Sequence, residues 1–454
     1  NALTNEPLSE ATIIGSKMTA TTNDDGIFSV SKNDNSEILS ILFMGFETIQ
    51  IASERLTKDC LKIYLQPAIS ELDEVILKKY FTTGISKKTD GTFVINTTDF
   101  GLLPGQVNGD ILQITQALPG VESVDETISN INIRGGTQDE NNILWDDIKM
   151  YQSGHFFGLI SAFNPDLTKK VKVYKNGTNP RFGEGVSGVI DMHSENRIPN
   201  SFIGGAGFDL INANVFAEVP VSKSFGLQVS GRRSVDDVLM SPVFSIYEDR
   251  IFQDTEITAT ENNVSSAEIN STNDFKFYDF SAKALLDLSA QTSFRANFLT
   301  IQNDLEFTET LLSSSNSETS SLKQGSTIGG FSWQQNWTPK FKTNLLGYGS
   351  YYRLSSVSEQ VFTTQKLTQE NEVLEIGIKL DGTLLLSKKN ELQIGYHFSE
   401  TGISNTQDIN TPRFRSFQKD VLRVHIAYGN ISLKAYEDKT NLNFGLRTNY
   451  FTKF

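Results

Sequence analysis

Three runs decide the fold: Ile131-Asn132-Ile133-Arg134-Gly135-Gly136, Ile143-Leu144-Trp145-Asp146-Asp147-Ile148, and Pro180-Arg181-Phe182-Gly183-Glu184-Gly185-Val186-Ser187-Gly188-Val189-Ile190-Asp191. Each sets a short β-branched strand against glycines or paired aspartates, residues that accept the positive φ of tight turns. Between them, Tyr151-Gln152-Ser153-Gly154-His155-Phe156-Phe157-Gly158 is a glycine-bounded aromatic loop, and Val171-Lys172-Val173-Tyr174-Lys175 reads as a strand. Asn164-Pro165-Asp166 predicts a helix start, with a capping Asn and Pro in the first turn. Just upstream, Val107, Ile111, Ile114 and Leu118 recur at helical spacing, and Pro119-Gly120 stops that helix. The expectation is a mixed α/β segment over residues 92–195.

Two catalytic or cofactor readings of this segment fail on context. Gly183, Gly185 and Gly188 lead into a strand with no βαβ pattern, so they are not a dinucleotide loop. His155 has no second His or Cys nearby, which favours a structural hydrogen bond over a metal ligand.

The whole chain of 454 residues carries 40 Lys+Arg against 54 Asp+Glu, a net charge of −14. That balance, with no basic cluster, argues against nucleic acid as a partner. Cys60 is the single cysteine, and His155, His193, His397 and His425 are scattered, which excludes disulfide scaffolds and His/Cys zinc sites. No metal or cofactor is implied. No stretch approaches the roughly 20 apolar residues of a membrane-spanning helix. A mean hydropathy of −0.27 is still compatible with an outer-membrane β-barrel, whose strands alternate lipid-facing and lumen-facing residues.

From Ser201 the period becomes two. Phe202, Ala206, Phe208 and Leu210 form one apolar set, then Ala213, Val215, Ala217 and Val219, then Phe225, Leu227 and Val229. Late in the chain, Leu422, Val424, Ile426 and Tyr428 oppose Arg423, His425 and Ala427, and Leu442, Phe444 and Leu446 oppose Asn443, Gly445 and Arg447. The apolar sets are expected to face lipid, in strands of about ten residues. Tight links such as Leu210-Ile211-Asn212-Ala213 are expected at one end and long polar connections at the other. Glu248 to Asp274 is acidic and Leu311 to Ser321 serine-rich, as suits outer loops. Residues 196–454 hold roughly a dozen strand candidates.

Residues 1–70 read as a β-sandwich of about seven short strands, among them Thr12-Ile13-Ile14, Ile27-Phe28-Ser29-Val30 and Leu61-Lys62-Ile63-Tyr64-Leu65. Asp25-Gly26 supplies a hairpin signal. Glu71-Leu72-Asp73-Glu74-Val75-Ile76-Leu77 follows, and by its residues alone it is the last strand of that domain. Polar, flexible residues continue to 91.

The succession over 92–195 resembles the plug domain of TonB-dependent outer-membrane receptors. Residues 1–70, through Asn5-Glu6-Pro7-Leu8, Thr21 to Phe28 and Phe43-Met44-Gly45-Phe46-Glu47, resemble the carboxypeptidase-regulatory-like domain that precedes many such plugs and has no peptidase activity. That domain has one further strand before this point, implying a trimmed start. By the same resemblance, Asp73, Glu74, Val75, Ile76 and Leu77 look like a TonB box, an extended segment that adds to the edge of a partner's sheet. Arg134 and Arg181 hold the positions of two arginines that face barrel-wall carboxylates. The apex positions that meet ligand are Gln138, Asp139, Asn141, Tyr151, His155, Phe156 and Phe157. The fold class implied is mainly β: N-terminal sandwich, mixed α/β plug, and a transmembrane antiparallel barrel. Receptors of this family close with 22 strands, so residues 196–454 are expected to be an incomplete barrel.

The resemblance implies an outer-membrane receptor of a Gram-negative bacterium, with its N-terminal domain in the periplasm. It would import an iron chelate, glycan, peptide or vitamin by energy-coupled plug movement, with outer-membrane lipid around the barrel and a TonB-like periplasmic protein as partner. The alternative is a non-transporting adhesion or scaffold protein anchored by the barrel, with a surface lipoprotein or larger outer-membrane complex as partner. A hydrolytic enzyme is not supported: no Ser, His and Asp set has a recognisable local context.

Overall fold

The computed structural model describes residues 1–2, 6–15, 19–29, 38–43, 46, 48–52, 61–66, 79–88, 90–97, 99, 110–123, 127–175, 179–235, 242, 246, 269–311, 317–359, 365–387, 389–435 and 440–453. The TonB-box-like residues Asp73 to Leu77 and most of the acidic connection, 248–268, lie outside the described residues. The chain divides into two compact units, Asn1–Ile76 and Leu77–Phe454.

The first unit contains β1 (Thr12–Ile14), β2 (Thr19–Thr21), β3 (Ile38–Leu42) and β4 (Ile49–Ala52), one antiparallel sheet in the order β2-β1-β3-β4. Ile13, Leu39, Ile41 and Leu65 form its core. Of the roughly seven strands expected, four lie among the described residues. Ile27-Phe28 and Leu61 to Leu65 lie outside any strand, although Phe28, Ile63 and Leu65 pack on the core. Their β-rich composition reflects a fit to a half-buried surface rather than a place in a ladder. At the Asp-Gly turn, Gly26 has φ +71, and the Asn23 side-chain oxygen accepts from the amides of Asp25 and Ile27.

In the second unit the strands before residue 195 are β5 (Lys79–Thr82), β6 (Ile85–Lys87), β7 (Phe93–Asn96), β8 (Val121–Glu122), β9 (Asn132–Ile133), β10 (Asn141–Trp145), β11 (Ile148–Lys149), β12 (Gly154–His155), β13 (Ile160–Ser161), β14 (Thr168–Tyr174) and β15 (Gly188–Ser194). Seven make a sheet in the order β11-β10-β15-β14-β7-β6-β5, in which only β10 and β15 are known to run parallel among the described pairs. The helix α1 (Ile111–Gln116) packs on it; Asp110 caps its start by accepting from the amides of Leu112 and Gln113. Ile95, Ile133, Val171, Val173, Ile190 and Met192 are 0% exposed. Burial of each such side chain stabilises by roughly 1.5–3 kcal/mol. The expected helix at Asn164 is corrected to a turn. The Asn164 side chain accepts from the Asp166 amide and its carbonyl from the Thr168 amide, so the chain enters β14 directly. A capping Asn also initiates Asx turns, and the run to Thr168 is too short for a helix.

The wall is an antiparallel sheet of 11 strands in sequence order: β16 (Ile203–Phe208), β17 (Asn212–Pro220), β18 (Phe225–Ser234), β19 (Ile269–Asp287), β20 (Thr292–Leu311), β21 (Ser317–Thr338), β22 (Phe341–Glu359), β23 (Lys366–Leu385), β24 (Glu391–Ile409), β25 (Phe414–Ala435) and β26 (Thr440–Lys453). No pairing joins β16 to β26 among the described residues, so the sheet is open. Strands β19 to β25 run 19 to 22 residues, twice the expected length. About ten residues cross a membrane, so these strands extend well beyond it. Ser317 to Ser321 accordingly belongs to a strand instead of a loop.

On β23 the side chains separate cleanly. Leu374, Ile376, Ile378 and Leu380 are 51%, 50%, 51% and 46% exposed, while Glu375, Lys379 and Asp381 between them turn toward the plug. Two wall expectations are corrected. Val424, Ile426 and Tyr428 of β25 face inward and are buried, because pairing aligns their strand with Ser399, His397 and Gly395, the inward row of β24. The tight link at Leu210-Ile211 lies at the same end as the long connection 235–268, since two strands and one further turn separate them. The short links of the opposite end are 221–224, 288–291, 339–340 and 386–390.

The plug-wall interface as candidate functional site

The turn between β10 and β11 is built from Asp146 and Asp147, with φ of 46° and 68°. Two consecutive positive φ values between paired strands make a type I′ turn, whose twist matches the hairpin and which tolerates aspartate. The turn presents both carboxylates to cations. Lys283 of β19 donates to Asp146 Oδ2 at 3.1 Å, and both side chains are almost fully buried. Ser194 completes the group, its amide and hydroxyl donating to Asp146 at 3.1 and 2.6 Å. Burial alone would raise the Asp146 pKa, but Lys283 with His193 and Ser194 outweighs it and holds the carboxyl below its usual range.

Asp147 faces Arg181, whose guanidinium lies 3.0 Å from Asp147 Oδ1 and 3.0 Å from Asp381 Oδ2 of β23. Arg181 thereby joins plug to wall by charge-assisted hydrogen bonds in fork geometry. Against the cost of burial, Arg181 above all, then His193 and Lys379, keep Asp147 ionised far below the ordinary carboxylate range. The two carboxylates in turn hold the guanidinium charged despite its burial. On the wall, Asp381 also receives His397 Nε2 at 2.7 Å and the Tyr428 hydroxyl at 2.5 Å. Lys379 donates to the Asp147 carbonyl at 2.7 Å. Arg447 of β26 donates to the carbonyls of Pro180 and Arg181. A Cβ on Gly183 would meet the Arg447 guanidinium at 2.4 to 2.9 Å, so a side chain there would have to displace the end of the arginine.

Arg134 is a correction. It lies at φ 55° in the turn after β9, is exposed, and donates to the Lys175 carbonyl at 3.0 Å; among the described residues it meets no wall carboxylate.

The expected apex residues separate. Gln138 and Asp139 are exposed in a one-turn 3-10 helix, and Asn141 ties the following strand down by donating to the carbonyls of Ile131 and Thr137. Tyr151 reaches the wall, its hydroxyl donating to Glu375, which also accepts from Tyr348 and Thr401. Burial and Glu375 push the phenol's pKa far up, so it remains a donor. His155 is 0% exposed, its Nε2 3.1 Å from Asp279 Oδ2 and its Nδ1 2.5 Å from Asn303 Oδ1. Arg232 lies 2.7 Å from the same Asp279 oxygen. Burial lowers the imidazole pKa, with Asp279 opposing. Phe156 stacks edge-on with Phe275 at 4.4 Å in an apolar cluster with Leu159, Ile160, Phe277 and Leu305. The expectation that His155 and Phe156 meet ligand is corrected: both are sealed between plug and wall. The side chain of Phe157 is outside the described residues.

Sequence reading passed over Glu375, Lys379, Asp381 and Lys283. The signal was available on β23, where three charges share one face inside an otherwise aliphatic alternation.

Residues 90–190 match the family described as TonB-dependent Receptor Plug Domain. Among curated proteins none matches the chain. Among solved structures, a ferric enterobactin receptor mutant (PfeA) from Pseudomonas aeruginosa is 13% identical with a TM-score of 0.53, covering 80% of this chain and 57% of its own. The copper transporter OprC is 13% identical with a TM-score of 0.58, covering 81% and 56%. The outer membrane transporter YddB from Escherichia coli is 10% identical with a TM-score of 0.54, covering 83% and 58%. The chain thus spans less than two thirds of the length of these relatives. No helix among the described residues is long and apolar enough to cross a membrane, and the outward aliphatic rows of the wall take that role with strands. Residues 90–190 thus match the plug domain of TonB-dependent receptors, and Ile203–Lys453 has the fold of the barrel wall in the outer-membrane receptors and transporters it resembles.

Proposed function

We propose that this chain is the ligand-gated part of a receptor that imports a nutrient from outside by energy-coupled movement of the plug. The observation that carries the reading is the contrast in how the plug is held. Its interior is an apolar core that Leu299, Ile301, Ile328 and Leu346 of the wall extend, and around that patch discrete polar contacts at Arg181, Asp146, Tyr151 and His155 tie the plug to the wall. Breaking such buried contacts costs a few kcal/mol each unless water replaces the lost partners, a cost that energy coupling would supply, so the plug can shift as a body without unfolding. Of the similar structures, one is a ferric enterobactin receptor and another a copper transporter; an imported ligand of some class is the part of that pattern carried over here.

In this reading Asp73 to Leu77 recruits a TonB-like periplasmic protein by strand addition. The N-terminal unit lies in the periplasm as a carboxypeptidase-regulatory-like spacer. Ligand occupancy must favour one plug arrangement over another to expose that segment. The chemistry is transport rather than catalysis. The test is deletion of residues 73–77: uptake is expected to fall to background while ligand binding by the purified receptor is unchanged. Undiminished uptake would sink the mechanism.

A further inference from the structure

Above the highest plug contact on β23, Glu375, the inward face of the wall carries a row of neutral amides. Strand register places Asn303, Gln324, Leu354, Asn371, Asn405 and Gln418 side by side across β20 to β25. Neighbouring members are about 4.8 Å apart, the strand spacing. A second row directly above it runs Ser356, Gln369, Gln407, Ser416. Its lower end meets the plug, because Asn303 is buried against His155; Asn371, Asn405 and Gln418 are exposed. The side chains of Asn371, Asn405 and Gln418 make no hydrogen bond among the described residues.

Fixed positive charge is absent from the described positions of this surface, and its acids are Asp420 of β25 and Glu318, which shares the alternation of Gln324 on β21. Along the described inward positions of β22 to β25 above the plug, Asp420 is the one charged side chain. The ion pairs of the same strands, Arg353 with Glu370 and Glu372 and Arg423 with Glu400, sit one residue out of phase and therefore on the outer face. Below the amide row, the Tyr352 ring, Val373 and Ile403 align as a strip that ends at Asp420.

We propose that this track binds a neutral, polyhydroxylated ligand, an oligosaccharide, and leads it down to the plug. Asn371, Asn405 and Gln418 each offer an adjacent donor and acceptor, which matches a pair of vicinal hydroxyls that both donate and accept, while Asn303 and Gln324 are tied to His155, to each other and to Tyr352. The strip below receives the C–H faces of sugar rings. Among the described residues of the track an anionic iron chelate meets no cation to replace its lost hydration, whereas a neutral saccharide needs none. The proposal rests on the receptor reading above and names the ligand class of the same lumen.

The test is calorimetric titration of the full receptor in detergent with maltohexaose, laminarihexaose, xylohexaose and chitohexaose, and with ferric citrate and a ferric catecholate as charged rivals. At least one neutral saccharide is expected to bind. Asn371→Asp, Asn405→Asp and Gln418→Leu should each weaken it about tenfold, the loss of one well-placed hydrogen-bond pair. These side chains are exposed and unpartnered, and an unchanged heat-modifiable band on electrophoresis verifies folding. No saccharide binding, or saccharide binding that all three variants leave unchanged, overturns the proposal. Binding in detergent needs no energy coupling, so intact binding with no uptake would count against the transport reading alone.

Discussion

The plug's interior and its outer surface are held together by different physics. Inside, Ile95, Ile133, Val173, Ile190 and Met192 are dry and close-packed, with no charge among them. At the surface facing the wall, acids and bases are matched across the boundary: Asp146 with Lys283, Arg181 with Asp381, His155 with Asp279. The apolar core also reaches this boundary, where Leu299, Ile301, Ile328 and Leu346 of the wall join it and Phe156 packs on Phe275 beside the pairs. The difference teaches that the two contacts can fail separately. Packing defects should melt the plug, and charge defects should release it intact.

The largest effect is expected inside. Ile190→Ala leaves a cavity in the central strand of the plug sheet and should cost about 2–5 kcal/mol. Limited proteolysis of the purified receptor would then cut within residues 90–190, and an uncut plug would break the comparison. Next comes Arg181→Ala, which strands Asp147 and Asp381 without their shared cation. It should loosen the plug from the wall by about 3 kcal/mol, while near-ultraviolet circular dichroism of the plug stays native. Adding Asp381→Asn should recover part of the loss, and full additivity in that cycle would mean the two residues do not act together.

The smallest effect is a pH dependence. Burial depresses the pKa of His155 from 6.5, so the unfolded or released imidazole binds protons more readily than the docked one. The stability this gives is complete above about pH 6.5 and declines as pH falls through that value toward the lower docked pKa. Thermal melting of the plug should therefore drop between pH 7.5 and pH 5, and His155→Phe should flatten that slope. A wild-type melt independent of pH over this range would remove His155 from the latch.

Much of the wall was legible because its information is local. Period two alone places Leu374, Ile376, Ile378 and Leu380 on one face. What it cannot give is which face points inward when both carry apolar side chains, as on β25. There the orientation of Val424, Ile426 and Tyr428 comes from register with a neighbouring strand. The same limit applies to the latch. Arg181 was found through its Arg-Phe-Gly context, but its partner Asp381 is 200 residues away, and the partner of His155, Asp279, is 124 away. Arg134 has an equally suggestive context and a different fate. Local motifs name candidates, and long-range register chooses among them.

The Asp146-Asp147 turn is fastened to two wall strands at once, by Lys283 of β19 on one side and by Lys379 of β23 on the other. Mechanically, two adjacent residues form a strut between staves four places apart. A pull on the hairpin is shared by both anchors, and when one lets go the other keeps the tip within reach for re-attachment. The load at which the plug slips is then set by their joint failure, giving a threshold instead of a gradual creep.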